Sequence, residues 1–565
     1  MSQPQRMPRP TVAVFGAGIA GLTAAHELVR RGHRVSVFES SPEAGGFYRS
    51  ARRPGDGNTP SEYSWHGIGP WYHNLFDLLK QIPFDETGSL YERALSRPID
   101  FGLAPDRGRA AFDDTPLVNV RNMFRMSWLD VVLGSYLMLK SWGSNLRTRE
   151  RYAERNAAEA WKPLLSDEAW RTWRSSFGPW IGSDWTNVSL HTAGQFFQKQ
   201  LLSEPSHVHR ADADGPGWVH GARSGWLLLR GPSSEWWFDR WVTHLERSGV
   251  DFTFEAPLER FEFDGRHITG AQLESGAAVE RDRYVLATNP FAAREILERT
   301  PSLALMDQLR LFGPLVERGP HAQVSLRLAF GERVRWPRER AALIVADSEF
   351  NLTLFGQEQA WDGDVELGDG VRSLWTVTAC VATEPGAVFG RPLTRLTKAE
   401  FVEEVLTQLS RCEALDALLR EANDGRGFAA FPIVKVEVWH EWLFSRDGLR
   451  SRQPKWVNTT RTQPYMPTQA TPVPNLALAG AHTRTEVDVW SIEAAVESGR
   501  RAARVFEPDV EVLPQHKPGW LRALARADDV CYSAGAPHVI DVLLAGGVCA
   551  LVAAAVAFPG RERQR

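Results

Sequence analysis

The stretch TVAVFGAGIAGLTAAHELVRRGHRVSVFES, residues 11–40, decides the fold of this 565-residue chain. An apolar β-branched run at 11–15 is followed by the glycine turn Gly16-Ala-Gly18-Ile-Ala-Gly21 and by a helical pattern at 22–31. A second apolar run at 34–38 then ends at an acid, Glu39. This order is a complete βαβ unit of the kind that binds dinucleotides. A glycine motif alone is a weak signal, and the strand and helix around it make it a strong one.

Each part of the glycine turn has a physical role in holding a pyrophosphate. Gly16 permits the tight turn, Gly18 lets the backbone approach the phosphates, and Gly21 lets the helix pack closely on the strand. The helix start at Ile19 and Ala20 offers free N–H groups and the positive end of the helix dipole. The sequence therefore predicts nucleotide binding at this turn.

An acid at the end of the second strand completes the nucleotide motif. We expect Glu39, followed by Ser40, to accept hydrogen bonds from the ribose hydroxyls of the nucleotide. A carboxylate at this position disfavours a 2′-phosphate, so the motif argues against an NADP-type nucleotide.

A glycine doublet, Gly45-Gly46, stands six residues beyond the acid. Here the sequence resembles the FAD-dependent amine oxidase and phytoene desaturase superfamily, in which such a pair lets the chain pass close to the flavin. The resemblance implies FAD as the cofactor. The amine oxidase branch usually has an arginine after the doublet, and Phe47 occupies that position here, which weakens an amine oxidase interpretation.

The stretch 62–75 is similar to plant- and cyanobacterial-type carotene desaturases. In those proteins a glutamate, a histidine four residues later, a tyrosine six beyond and an asparagine two beyond that precede a helix. The same spacing occurs here at Glu62, His66, Tyr72 and Asn74. This pattern is more specific than the glycines.

Later segments complete the cofactor site that the resemblance implies. In the family the backbone of a strand pair contacts the adenine, and Leu258 is at the corresponding position here. A later strand, which here ends in Val-Leu-Ala287, leads back to the pyrophosphate. Ser491 is expected to cap a helix whose free N–H groups and dipole stabilise the negative charge of a reduced flavin. The full predicted set of cofactor-binding residues is Gly16, Gly18, Ile19, Ala20, Gly21, Glu39, Ser40, Gly45, Gly46, Leu258, Ala287, Gly480, Ala481, Ser491 and Ile492.

Two departures from the family pattern bear on the chemistry. The family commonly has an aspartate after the Ala-Gly that ends its last strand, whereas Ala481 and His482 follow Gly480 here. Amine oxidases also place a lysine on the strand at 323–330, and this chain has none there.

The proton-transfer residue is unassigned by the sequence. Glu62, His66 and His482 are candidates by location alone. His66 is either a structural histidine that hydrogen-bonds the loop on the cofactor side or a direct proton carrier. No metal site is expected.

These motifs predict an α/β protein. A Rossmann-like FAD-binding domain of the glutathione-reductase type, with a parallel sheet, is interleaved with an α+β substrate domain and followed by a C-terminal hydrophobic helix. Helical patterns over 127–142 and 156–177, rich in tryptophan, predict a helical insertion with one apolar face. The predicted segments are FAD-binding parts at 10–96, 216–300 and 431–505, a helical substrate insertion at 97–215, a substrate-domain sheet with helices at 301–430, and a linker with a hydrophobic tail at 506–565.

Charge and cysteine content exclude other classes. Lys and Arg number 65 against 69 Asp and Glu, which leaves a net charge of −4. With no dense basic run, we expect no nucleic-acid partner. The four cysteines lie far apart with no C-x-x-C pair, so we expect neither a disulfide framework nor a zinc site, and a reducing compartment.

The C-terminal stretch 542–558 carries no charge over seventeen residues. Its length is at the lower end for a spanning helix, so it is either a membrane anchor or a terminal helix packed on the protein or an oligomer partner. Partial exposure of 123–139 would add a surface that dips into a bilayer. We expect lipid as a partner and a location on the cytoplasmic side of a membrane, peripheral or anchored by a C-terminal helix.

The function that the resemblance implies is an FAD-dependent desaturase or dehydrogenase of a long apolar, carotenoid-like isoprenoid, which works by hydride transfer to flavin N5. The electron acceptor, a quinone or dioxygen, stays open. Alternatives are a flavin amine oxidase, a redox-neutral isoprenoid isomerase on the same fold, and a non-catalytic prenyl-binding protein.

Overall fold

The computed structural model describes residues 9–64, 66–96, 99–112, 121–202, 226–318, 320–337 and 340–545. A parallel sheet with its helices forms one layer of the molecule, and a larger mixed sheet forms another. This mixed α/β architecture confirms the predicted fold class.

The parallel sheet has five strands, with the first strand of the chain at its centre. In spatial order the strands are Leu476–Leu478, Arg283–Leu286, Thr11–Phe15, Arg34–Phe38 and Val250–Thr253. Val14 pairs with Val37 on one side and with Val285 on the other. Because the chain turns to opposite sides of this central strand, the strand ends at Phe15 and Phe38 border a crevice where ligands of such folds bind.

Two helices from opposite ends of the sequence pack together on this sheet. They are Ile19–Val29, which follows the glycine turn, and Ile492–Phe506. At Gly499 a methyl group would overlap the carbonyl oxygen of Ala20, so only glycine permits the observed separation. The buried Arg500 strengthens the contact, because its Nε lies 3.2 Å from Glu27 Oε1.

The opposite face of the parallel sheet is covered by a small antiparallel meander and a helix. The strands are Leu258–Phe263, Ile268–Leu273 and Ala278–Val279, and the helix is Pro290–Glu298. Phe261 of the first strand packs edge-on against Phe15 at 5.7 Å.

The second sheet has seven strands and is antiparallel except for one pair. In spatial order they are Ile433–Val438, Val324–Phe330, Ser373–Ala379, Leu352–Phe355, Ala342–Val345, Phe101–Ala104 and Ala111–Phe112. The two outer strands at 101–112 and the strand at 433–438 lie outside the predicted segment 301–430. The sheet thus takes strands from three of the predicted segments, 97–215, 301–430 and 431–505, because strand pairing joins residues that no local pattern connects.

A helical layer lies between residues 121 and 202. The predicted helix at 127–142 is observed as Trp128–Trp142, where Ser127 and Asp130 form a capping box. The single helix predicted over 156–177 is wrong, because Asn156 and Ser166 each cap a separate helix and divide the stretch. The helices after Trp142 are Ala157–Trp161, Asp167–Arg174 and Leu190–Leu202.

The remaining helices connect these layers. Two precede the helical layer, His73–Leu79 and Leu90–Arg93, and the others follow it: Asp239–Arg247, Pro301–Ala304, Phe312–Arg318, Lys398–Ser410, Glu413–Ala422 and Gly519–Ser533.

The C-terminal part of the chain packs on the helical layer. Leu524 of helix Gly519–Ser533 contacts Gly143, and residues 539–545 are helical. Most of the predicted hydrophobic helix at 542–558 lies outside the described residues. Among the residues that the structure describes, no helix has both the length and the hydrophobicity to cross a bilayer.

We expect Gly499→Ala to lower the free energy of unfolding by about 1–3 kcal/mol, because the added methyl group overpacks the contact with Ala20. Urea denaturation followed by circular dichroism measures the change. Gly313→Ala is the matched control, since Gly313 lies in helix Phe312–Arg318 and the methyl group of an alanine there would have no atom within 4 Å. Equal midpoints for the two variants would contradict the role assigned to Gly499.

Candidate cofactor and substrate site

A cavity of about 510 Å³ opens at the ends of the central parallel strands. All of the predicted cofactor residues except Gly21 line it. Gly21 faces the strand instead, and a methyl group there would overlap the Gly16 carbonyl oxygen. The cavity therefore joins segments that are up to 480 residues apart, from Phe15 to Ala495.

The glycine turn and the glycine doublet press against each other at one end of the cavity. Gly16 has φ +108° and donates its N–H to the Phe38 carbonyl at 2.8 Å. The Gly45 N–H donates to the Ala17 carbonyl at 2.9 Å, which ties the second loop to the first. Around Gly18 there is open space, since a methyl group added there would have no atom within 4 Å. This is the cradle that a pyrophosphate needs in order to approach the backbone.

Glu39 holds the loops that border the nucleotide end. Its Oε2 accepts the Ala17 N–H at 2.6 Å, and its Oε1 accepts the Ser41 N–H at 2.8 Å. Leu258 lies on the opposite wall of the cavity. The carboxylate thus orders the turn and faces the cavity, where its remaining lone pairs suit ribose hydroxyls.

The other end of the cavity is bordered by the start of helix Ile492–Phe506. Ser491 accepts the Ala494 N–H at 3.1 Å and so is the helix cap. Gly480 has φ +140°, and its N–H donates to Ser498 Oγ at 2.9 Å. With one N–H group satisfied by Ser491, the remaining first-turn donors and the helix dipole are available to an anionic ring edge.

A buried carboxylate fixes this helix against the segment at 62–75. Glu493 accepts the N–H groups of Asn74 and Leu75, each at 2.9 Å, at the start of helix His73–Leu79. It also accepts the Asn74 amide at 2.9 Å. Burial raises the pKa of Glu493 to about 7. Asn74 of the desaturase-like pattern therefore anchors helix Ile492–Phe506 and does not line the cavity.

His66 lines the cavity but turns both ring nitrogens away from it. Its Nε2 donates to the Phe47 carbonyl at 3.1 Å, and its ring stacks on Tyr48 at 3.9 Å. The Nδ1 atom is buried and lies 3.5 Å from Glu62 Oε2. This geometry favours the structural alternative for His66, as support for the loop that follows the glycine doublet.

Glu62 lies behind the cavity wall. Its Oε2 is 3.0 Å from Arg327 Nη2 and accepts the Gln357 amide at 2.9 Å. Burial alone would raise its pKa, but Arg327, His66 and Gln357 together lower the pKa to about 2. The ionised carboxylate of this buried pair joins the seven-stranded sheet to the segment at 62–75. It is a poor proton carrier.

His482 lies at the cavity end of the last parallel strand. Its ring packs edge-on against Phe312 at 5.5 Å and Trp456 at 6.4 Å. Burial lowers the pKa of His482 to about 3, so the ring is neutral near pH 7. The ring also lies against Gly480, where a side chain would collide with it.

The kinship of this chain with known proteins extends over most of its length. The family model for flavin containing amine oxidoreductases matches residues 19–505. The chain belongs to this family. The match confirms FAD as the cofactor and an oxidoreductase as the class of enzyme, and the glycine cradle at Gly18 fits that cofactor.

Individual relatives lie at low identity. The probable zeta-carotene desaturase of Synechococcus elongatus is 25% identical over 545 residues, which cover 88% of this chain and 98% of that protein. The zeta-carotene desaturase of a Synechocystis species is 23% identical, with 88% and 96% covered. The solved structure of putrescine oxidase bound to putrescine has a TM-score of 0.57 at 15% identity, covering 88% of this chain and 99% of that one, and shows the shared fold.

Lys455 is a cavity residue that no pattern in the sequence indicates. Lys455, which follows the seven-stranded sheet in the chain, lines the cavity and is buried. Its ammonium donates to Gln323 Oε1 and, at 3.3 Å, to the Gly182 carbonyl. Burial lowers the pKa of Lys455 to about 8. A lysine therefore stands beside the first residue of the lysine-free strand, and only the fold shows this.

We expect Gly18→Ala to keep the fold and lower FAD affinity about tenfold or more. The backbone at Gly18 has φ −73°, which alanine adopts freely, and the methyl group would project into the space reserved for the pyrophosphate. Flavin fluorescence titration of the apoprotein measures the affinity. Gly363→Ala, whose added methyl group would also have no neighbour within 4 Å, is expected to bind FAD as the wild type does.

We expect Glu62→Gln to lower the free energy of unfolding at about pH 7 by roughly 3 kcal/mol, because Arg327 loses its buried partner. The folded-state pKa of about 2 lies below the ordinary 4.5, so the stabilisation is complete above about pH 5 and is lost as the pH falls toward 2. The difference between wild type and variant should therefore shrink at about pH 3 in denaturant titrations. Glu298→Gln, from an exposed pair, should cost less than about 1 kcal/mol.

Proposed function

We propose that this flavin enzyme desaturates a long apolar isoprenoid of the carotenoid type. The observation that carries the proposal is the aromatic lining of the substrate end of the cavity. The lining side chains there are Phe47, Tyr63, Tyr72, Trp180, Trp226 and Trp490. The two cyanobacterial relatives, named as zeta-carotene desaturases, support the same substrate class.

The aromatic lining continues beyond the cavity into the helical layer. Trp180 lies 6.5 Å from Phe196 and 6.3 Å from Phe101, measured between ring centroids. Phe196 in turn lies 6.4 Å from Trp226. A continuous apolar wall of this kind suits an extended hydrocarbon, since it excludes water and orients the chain.

Phe47 shapes the cavity where amine oxidases usually have an arginine. Its ring packs edge-on against Tyr63 at 5.0 Å and against Trp490 at 6.3 Å. This apolar corner replaces a charged one. It lowers the affinity expected for a polar substrate and raises that for a hydrocarbon.

Desaturation moves a hydride from one substrate carbon and a proton from its neighbour, and a double bond forms between the two carbons. FAD, when bound, supplies the two-electron oxidant that takes the hydride at N5. The chain supplies the proton acceptor, and we assign that role to Lys455. In its neutral form the Lys455 amine donates its two N–H groups to Gln323 and Gly182, which leaves the Nζ lone pair to accept the departing proton.

Amine oxidation is the second candidate, and Lys455 is the observation that favours it. Amine oxidases carry a lysine on the strand that begins beside Gln323, and Lys455 reaches Gln323 from another segment. The putrescine oxidase fold match is consistent with this alternative. The apolar corner at Phe47 counts against it.

The deciding experiment is an anaerobic titration of the holoenzyme, followed by the loss of the oxidised flavin absorbance. A carotenoid and polyene extract is expected to bleach the flavin, and a panel of primary amines and polyamines is expected to leave it oxidised. Bleaching by an amine alone would establish the second candidate in place of the first. Admitting dioxygen or adding a soluble quinone to the bleached enzyme then identifies the electron acceptor.

The same titration tests the role of Lys455. Because burial lowers the pKa of Lys455 to about 8, the bleaching rate with the extract should rise with pH through about 8. The Lys455→Met variant should bleach slowly and show no such rise. An unchanged profile in the variant would remove Lys455 as the proton acceptor.

A further inference from the structure

We propose that one surface of the helical layer seats this protein on a lipid bilayer. The surface, called the apolar face here, consists of six exposed large apolar side chains: Trp128, Leu129, Val132, Val542, Leu543 and Leu544. The first three are 62%, 66% and 62% exposed. Apolar side chains exposed to this extent on adjoining segments mark a surface that another apolar phase covers.

The two parts of the apolar face are held together by polar contacts. Asp541 lies 2.8 Å from Lys140 Nζ and accepts a hydrogen bond from the Tyr136 hydroxyl. Trp128 and Val132 lie on the same stripe of the helix as Tyr136 and Lys140, since all four are spaced by four residues. The segment that carries Val542, Leu543 and Leu544 begins directly after Asp541. The chain thus places both apolar groups side by side.

The direction of the C-terminal segment supports one continuous surface. The side chain of His538 contacts the Lys140 carbonyl at 3.1 Å, and three residues later Asp541 contacts Tyr136 as well as Lys140. The segment therefore runs antiparallel to helix Trp128–Trp142, from its end toward its start. Val542, Leu543 and Leu544 come next in the chain, in the direction of Val132.

The chemistry of the apolar face fits a bilayer. Trp128 lies under the Arg121 guanidinium at 5.0 Å, and tryptophan beside arginine is typical of the membrane–water interface. The sequence that starts in the face continues without a charge from 542 to 558 and then carries three arginines by 565.

An aromatic contact lies between the cavity and the segment just before the helix that carries Trp128. Phe124, just before helix Trp128–Trp142, packs against Trp180 at 5.8 Å between ring centroids, and Trp180 lines the cavity. An apolar substrate taken from the bilayer would meet aromatic side chains along this route. This last link rests on the proposed function, whereas binding to lipid does not.

The test is cosedimentation of the full-length holoenzyme with vesicles of equimolar phosphatidylcholine and phosphatidylglycerol, without substrate. The wild type is expected to sediment with the vesicles. The triple variant Trp128→Ser, Leu129→Ser, Val132→Ser is expected to lose about tenfold or more in partition coefficient, because binding scales with the apolar area inserted. Unchanged FAD content and circular dichroism show that the variant is folded.

The matched control replaces three exposed apolar side chains elsewhere, Leu305, Val388 and Val434, with serine. It should bind vesicles as the wild type does. The proposal fails if the wild type stays in solution, if the triple variant binds equally well, or if the control loses as much. It fails also if light scattering shows a dimer that the triple variant disperses. Since no substrate is present, none of these results bears on the flavin titration.

Discussion

The close packing of helix Ile19–Val29 on helix Ile492–Phe506 is the constraint on which the cofactor site depends. The N-termini of both helices border the cavity. Gly499 allows the contact, because any side chain would meet the Ala20 carbonyl. Arg500, the next residue, then pairs with Glu27 and Asp77. The short contact thus holds together two helices whose N-termini border the same cavity.

Buried carboxylates fix neighbouring elements of the fold relative to one another. Glu62 pairs with Arg327 of the seven-stranded sheet, and Glu493 accepts the first N–H groups of helix His73–Leu79. A buried pair adds little net stability because both charges are desolvated, but its loss is costly. Such a pair therefore specifies how the elements that carry its two charges are positioned. Of the four residues of the desaturase-like pattern, Glu62 and Asn74 belong to this framework, whereas His66 and Tyr72 line the cavity.

The cavity combines two kinds of wall, and this combination bears on the chemistry. The wall at the nucleotide end consists of backbone groups, glycines and the Glu39 carboxylate, and these groups suit phosphate and ribose. Its other end is aromatic, with Lys455 as a buried amine beside Gln323. Carotene desaturases and amine oxidases share this fold, so the fold alone does not choose between their substrates. The choice depends on side chains such as Phe47 and Trp180.

The sequence by itself determined the nucleotide half of the protein. Gly16, Gly18, Glu39 and the cap at Ser491 are local signals, since a turn, a dipole and a cap each involve residues a few positions apart. Tertiary structure alone decided which residues share the cavity with them. Lys455 approaches Gln323, and Glu62 pairs with Arg327, although more than a hundred residues separate the members of each pair. No periodicity records such pairings, because register and burial emerge only when the sheets assemble.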